Sequence, residues 1–415
     1  MMQSVRIGFF LALRQVRRAS KWTTGLIIFV MTLTFLNLVV VSGVLVGLIE
    51  GAVQANKEYY TSDMLLSNLE KKDYIEQTPY VLSVVRALPE AQTISARYLE
   101  GGRVEANYAV ATKEEEIDSA GGTIAGIDPV AEDDLTGISR FVIEGDYLEP
   151  GDYDQVLMGA YLLKKYFPVE TASFPTLDNV GVGDKVRVKV GGITREVTVK
   201  GIIKSKVDEL GYRVYFTDSQ FRSLIGRSDY NVDEISVKLK PGSDPILVRD
   251  GLLRSGIGRY ARVQTFEDAQ PKFLLDIKAT FALLGNMISS IGLAVASITI
   301  FIVIFINAIT RRKFIGIMKG IGISGKAIET SYVFQSVFYA VIGSGIGLLI
   351  LYFMLQPYIT AHPIDFPFSD GILVAPLGET MVRILLLVVT TIVAGYIPAR
   401  MIVRKNTLDS ILGRN

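Results

Sequence analysis

At 415 residues with a mean hydropathy of +0.36, the chain is too long for one soluble domain and too apolar for two ordinary ones. Its 43 Lys+Arg nearly balance 42 Asp+Glu, which argues against a basic nucleic-acid-binding surface. There is no cysteine, so neither a disulfide framework nor thiolate chemistry is available.

The balance hides a segregation. Residues 1–21, 311–329 and 400–415 hold 14 basic residues and two acidic ones, Glu329 and Asp409, whereas 50–278 holds 28 basic and 37 acidic. Basic clusters flanking apolar runs are the signature of a membrane topology with those clusters inside.

Residues 1–21 alternate apolar residues with Arg6, Arg14, Arg17, Arg18 and Lys21, which predicts an amphipathic helix on the inner membrane face. From interfacial Trp22 to Ile49 no charge occurs over 28 residues, enough to cross about 30 Å of hydrocarbon. That run is far longer than the 7–15 residues or so of a signal-peptide core, so an uncleaved anchor is expected at 22–49.

Residues 50–278 read as a water-soluble α+β domain. Lys57–Leu88 has helical alternation. Short β-prone runs follow at Thr93–Tyr98, Asn107–Ala111, Gln155–Met158, Lys185–Val190, Glu196–Ile203, Arg213–Phe216 and Glu234–Lys238. Gly121-Gly122, Gly191-Gly192 and Pro241-Gly242 read as turns, and Asp218–Ile225 and Ile246–Gly251 as short helices. Two subdomains are expected, divided near 110–150. Phe266–Thr280 reads as a helical stalk.

Three more spans are predicted at 279–310, 330–360 and 381–399. The last contains Arg383, expected to snorkel outward. A small outer loop fills 361–380, and a basic tail, 400–415, lies inside. The fold class is thus an α-helical membrane protein of four transmembrane helices with a large extracytoplasmic α+β domain, both termini cytoplasmic.

Between the second and third spans, 311–329 forms a basic loop. Phe314, Ile317, Met318 and Ile321 fall at i, i+3, i+4 and i+7, one apolar stripe on a short helix. Gly320, Gly322 and Gly325 break that helix, and Ser324 is placed to cap the next. The stripe either lies on lipid or meets a cytoplasmic partner. Small-residue pairs Gly43…Gly47, Gly285…Ser289 and Gly343…Gly347 allow close helix packing, within one bundle or against a second subunit.

Signals for chemistry are weak. The uncharged core of each span argues against an ion-coupled carrier. The lone His362 cannot build a metal site, and Asp133-Asp134 and Glu114-Glu115-Glu116 read as solvated surface. No G-x-x-x-x-G-K-[ST] loop, G-x-S-x-G elbow or zinc helix is present, so no catalytic residue, bound cofactor or metal is expected.

The layout resembles the MacB/FtsX/LolC-type permeases of ATP-binding-cassette systems, nearest the LolC/LolE and DevC types without a fused ATPase. RRKFIGIMKGIGISGKAI (311–328) is similar to that family's coupling segment. GYIPAR (395–400), with Leu408 and Leu412, is similar to its closing signature. GIDP (126–129), EGDYL (144–148), VLMG (156–159), VGD (182–184) and VKGII (199–203) match its scattered blocks.

The resemblance implies a MacB-like periplasmic core domain in the bacterial inner membrane. Its implied partners are two copies of a separate ATPase subunit holding ATP and Mg, a second permease copy, and a periplasmic adaptor or acceptor. It also implies that Arg312, Phe314, Ile317, Met318, Lys319, Ile321, Gly322 and Ser324 form the ATPase-coupling surface, with Arg312 and Lys319 pairing acidic residues there. The alternative function is an FtsX-like regulator of a cell-wall hydrolase, for which the outer domain is large. A third is an anchored binding module without an ATPase.

Overall fold

The structure, a computed structural model, describes residues 2–109, 117–167, 175–270, 272–366 and 369–404. The run 110–111, Glu114-Glu115-Glu116, Leu408, Leu412 and the tail beyond 404 lie outside the described residues. Among the described residues, four helices are long and apolar enough to cross a membrane: Lys21–Thr61, Leu274–Thr310, Gly325–Ala361 and Leu377–Val403. The chain divides into two compact units, residues 1–50, 276–365 and 371–415 in one and 51–275 with 366–370 in the other.

The first unit contains α1 (Met2–Arg18) and most of α2 (Lys21–Asn56). The second unit opens after α2 with a π-helical turn, Lys57–Thr61, and β1 (Met64–Ser67). The helical reading of Lys57–Leu88 is therefore corrected. Its apolar residues serve the strand and a separate helix, α3 (Thr78–Arg86), which starts with a proline in its first turn.

Nine more strands follow: β2 (Ala91–Ala106), β3 (Asp118–Ile127), β4 (Val142–Gly145), β5 (Gln155–Gly159), β6 (Lys185–Val190), β7 (Ile193–Ile203), β8 (Arg213–Thr217), β9 (Glu234–Leu239) and β10 (Arg262–Thr265). Helices α4 (Pro129–Thr136), α5 (Asp208–Gly211), α6 (Asp218–Leu224), α7 (Pro245–Arg254) and α8 (Phe266–Ala269) lie between or after them.

All ten strands join one sheet in the order β10-β1-β9-β2-β3-β8-β5-β7-β4, with β6 bridging β2 and β7. The ten strands thus form one continuous sheet within one compact unit. Gly121-Gly122, expected as a turn, lies inside β3 opposite Arg103 and Gly102 of β2. A Cβ on Gly122 would sit 2.6 Å from the Tyr212 carbonyl, so glycine here marks close backbone approach. The core is aliphatic, with Val104, Ile124, Val156, Val188, Val199 and Val214 all essentially inaccessible.

The expected continuous stalk is also corrected. Helix α8 carries a capping box in which Thr265 Oγ1 accepts from the Asp268 nitrogen and Asp268 accepts from the Thr265 nitrogen. It stops at Gln270, which is extended (ψ 131°) as residues before proline are. Helix α9 then runs Lys272–Thr310.

In the first unit α9 is followed by α10 (Arg312–Gly320), α11 (Gly325–Ile350), a π-helical turn Leu351–Leu355 and α12 (Gln356–Ala361). After β11 (Ile364–Phe366) and β12 (Ser369–Gly371) comes α13 (Leu377–Val403). The apolar helices overrun the uncharged stretches at their ends, because helices stop at caps rather than at the first charge. Helix α11 starts at Gly325 and takes Lys326 and Glu329 into its first turns.

Arg383 departs from expectation. It lies within α13, and its guanidinium turns into the bundle, donating to Ser42 Oγ at 2.7 Å and to the Val39 carbonyl at 3.3 Å. Glu379, one turn earlier, is 3.8 Å away. A guanidinium in low dielectric needs acceptors, and the α2 backbone supplies one.

Candidate coupling segment

Helix α10 is short and amphipathic, and its ends are built in detail. At its C-terminus Gly322 has φ +91°. The Gly322 nitrogen donates to Lys319 O at 3.1 Å, and the Ile323 nitrogen to Met318 O at 3.0 Å. This is a Schellman cap, and its left-handed residue favours glycine. Two residues on, Ser324 caps α11, its hydroxyl accepting from the Ala327 nitrogen at 3.3 Å. The two helices are therefore joined by a turn in which the reversing backbone groups are satisfied.

The faces of α10 differ from the expected single stripe. Ile315 is 2% exposed and belongs to the core that holds Ile328, Ala399, Ile402 and Val403. Met318 is partly buried, packed against the same core. Phe314, Ile317 and Ile321 are 65%, 42% and 74% exposed. The apolar arc is wider than one stripe, and the helix axis divides it between core and surface.

The basic residues also divide. Lys319 Nζ donates to the Val403 carbonyl at 2.9 Å, in the last turn of α13. There it complements the negative end of the helix dipole. Arg312 is likewise half-buried, and Lys313 is exposed. Sequence reasoning missed Ile315 and Val403. Ile315 lies three residues before Met318 at helical spacing, but the stripe that starts one residue earlier, at Phe314, fits the sequence equally well.

Behind this segment α1 packs on α11. The Phe9 and Phe334 rings meet edge to face at 5.4 Å, and Gln335 donates to Gln15. A Cβ on Gly8 would come within 2.9 Å of the Ala327 carbonyl, so α1 seats beside the Ser324 cap.

The small-residue pairs Gly43…Gly47, Gly285…Ser289 and Gly343…Gly347 each meet side chains or backbone of this same chain. Gly343 receives Met31 of α2, and Thr32 Oγ1 donates to the Gly343 carbonyl at 3.1 Å. Gly347 receives the Phe35 ring. Ser289 donates to the Leu38 carbonyl at 3.0 Å, and Gly285 lies against Ser42. Gly43 and Gly47 pack on the extended segment 372–374 rather than on a helix. The Val374 nitrogen donates to the Gly43 carbonyl at 3.2 Å, and a Cβ on Gly47 would overlap the Ile372 carbonyl.

Four spans with a large α+β domain inserted after the first define a polytopic membrane protein of the permease class. The FtsX-like permease C-terminal family model matches residues 286–407, and the MacB-like periplasmic core domain model matches residues 38–254, more than half of the chain. The chain therefore belongs to the MacB/FtsX-type permeases of ATP-binding-cassette systems, and its inserted domain is extracytoplasmic.

Curated relatives include the macrolide export ATP-binding/permease protein MacB 1 of Yersinia pestis bv. Antiqua (strain Antiqua) and MacB 2 of Yersinia pestis bv. Antiqua (strain Nepal516). Each is 23% identical over 225 residues, covering 52% of this chain and 33% of the relative. The match thus spans about a third of those proteins' length. The crystal structure of the periplasmic region of MacB from Actinobacillus actinomycetemcomitans is also similar, at 15% identity and a TM-score of 0.36, covering 51% of this chain and 92% of that one.

Proposed function

We propose that this chain is a mechanotransmitting permease subunit. A separate ATPase, present in two copies and holding ATP and Mg, docks on α10 at the cytoplasmic face of a bacterial inner membrane, where both termini lie. Its movement passes through the spans to the extracytoplasmic domain, which extracts or exports a lipoprotein, lipid, peptide or drug. A second permease copy, identical or related, completes the assembly, and a periplasmic adaptor or acceptor receives the cargo.

The carrying observation is that α10 is fixed from behind and open in front. Ile315, Met318 and the Lys319–Val403 hydrogen bond join it to α11 and α13, while Phe314, Ile317 and Ile321 face outward. A lever needs both features, whereas a helix merely lying on lipid has no use for a locked back. The related ATP-binding/permease proteins named above support the ATPase as partner.

The test is co-purification in detergent with a co-expressed ATP-binding subunit from the same genome. Phe314→Asp with Ile321→Asp should abolish capture and leave the melting temperature unchanged, because both side chains are exposed. Capture equal to wild type would sink the α10 assignment. Absence of any captured ATPase in every nucleotide state would favour an anchored binding module.

A further inference from the structure

Helix α2 does not end at the limit of its apolar run. It continues unbroken across Glu50 to Asn56 and widens into the π-helical turn Lys57–Thr61. The turn closes with Ser62 N–H donating to the Lys57 carbonyl at 2.9 Å, and Ser62 itself is held at φ +60°, ψ −149°, a conformation non-glycine residues rarely adopt. This strained exit drives Tyr60 into the sheet, where it is 5% exposed.

There the Tyr60 ring carries two guanidinium groups, Arg97 of β2 at 4.6 Å and Arg213 of β8 at 4.7 Å. Its hydroxyl donates to Glu234 of β9 at 2.6 Å and accepts from Arg213 Nη2 at 2.7 Å. Its carbonyl accepts from Arg97 Nη2 at 2.9 Å. Arg97 is further satisfied by a two-point pair with Glu132, at 2.9 and 2.8 Å. Arg213 is buried, and the Tyr60 hydroxyl is what links it to the carboxylate of Glu234.

We infer that Tyr60 is a positioning residue: the joint that makes the exit of α2, from Gly51 onward, and strands β2, β8 and β9 move as one body within the second unit. The inference rests on the reading that spans drive the domain, and it names where that drive is delivered. A buried core tyrosine needs neither two cations on its ring nor a strained residue after it. Charge-assisted bonds to three strands resist both sliding and rotation, which an apolar contact does not.

The experiment uses the full chain in nanodiscs with cysteines introduced at exposed Gln54 and Lys240, the only thiols the protein would then carry. Spin-label distances are recorded for the wild type, Tyr60→Phe and Tyr60→Ala, with thermal unfolding of the domain measured in parallel. A joint predicts one narrow distance in the wild type. That narrow distance should be lost in Tyr60→Ala, and partly lost in Tyr60→Phe, well below the unfolding temperature of each.

Equally narrow distances in all folded variants overturn the proposal, whatever the unfolding temperatures do. Should Tyr60→Ala not fold, Tyr60→Phe, which keeps the ring, decides by the same readout. No ATPase enters this measurement, so its outcome is separate from that of ATPase capture.

Discussion

The ammonium of Lys319 lies 2.9 Å from the carbonyl oxygen of Val403, so the short helix α10 is tied by one side chain to the end of the last span. Val403 belongs to the last turn of α13, whose carbonyls have no helical partner, and a cation there is worth about 1 kcal/mol. Lys319→Met should lower stability by about that amount and raise amide exchange over residues 400–403. Lys319→Arg should leave exchange near wild type, and equal exchange in all three would contradict the tie.

Two glycines two residues apart in α11 should answer oppositely to alanine. A Cβ on Gly343 would collide with Met31, whereas one on Gly345 meets nothing within 4 Å. Gly343→Ala is expected to cost about 1–3 kcal/mol through overpacking. Gly345→Ala should gain up to about 1 kcal/mol from reduced backbone entropy. Melting in detergent distinguishes them, and the predicted order fails if Gly345→Ala is the less stable protein.

The pair Arg97–Glu132 has both side chains 1% exposed. Ser95 Oγ also donates to Glu132 at 2.6 Å. Glu132→Gln removes the two-point countercharge of a buried guanidinium, leaving it only Glu234 at 3.6 Å, and should destabilise the domain by about 3 kcal/mol. Urea unfolding followed by tyrosine fluorescence is the suitable probe, since the one tryptophan, Trp22, lies in the other unit. A shift below about 1 kcal/mol would mean that water reaches the pair.

Two carboxylates of the domain should titrate in opposite senses. Burial lifts Asp233 from an ordinary 3.8 to about 6, although the Leu99 N–H and Arg227 both bind it. Its folded value lies above its unfolded one, so its contribution to stability is complete below pH 3.8 and is lost as pH rises through about 6. For Glu105 burial also opposes charge, but Lys189 and Arg187, at 2.7 and 2.5 Å, outweigh it and hold the carboxyl below its ordinary 4.5.

Stability from Glu105 is therefore present above pH 4.5 and lost as pH falls through the lower folded value. Stability–pH curves of Asp233→Asn and Glu105→Gln, each subtracted from wild type, should slope in opposite directions. Parallel slopes would refute the assignment.

The spans were legible because twenty or so uncharged residues have few other uses, and the strands β5 to β9 because β-branched residues alternate there. What stayed hidden depended on partners distant in sequence. Gly121-Gly122 reads as a turn until Tyr212 and Arg103 are seen beside it. Arg383 reads as an outward charge because nothing local announces Ser42 and the Val39 carbonyl. In α10 the sequence contains both faces, but only Val403 and Ile402, more than eighty residues on, decide that Met318 turns inward and Phe314 outward. Residues 314–321 were found as a segment, and their division was not.

The chain enters its sheet on β1 and leaves on β10, and these two strands are antiparallel neighbours with Met64 opposite Thr265 and Ser67 opposite Arg262. The two hundred or so residues between them start and finish side by side, the geometry in which domain insertions and replacements are tolerated. A graft from a related chain, joined at these two strands, would ask the membrane half only to accept the same pair of ends. Under the proposed function, exchange of the whole insert changes cargo preference and leaves α10 as it is.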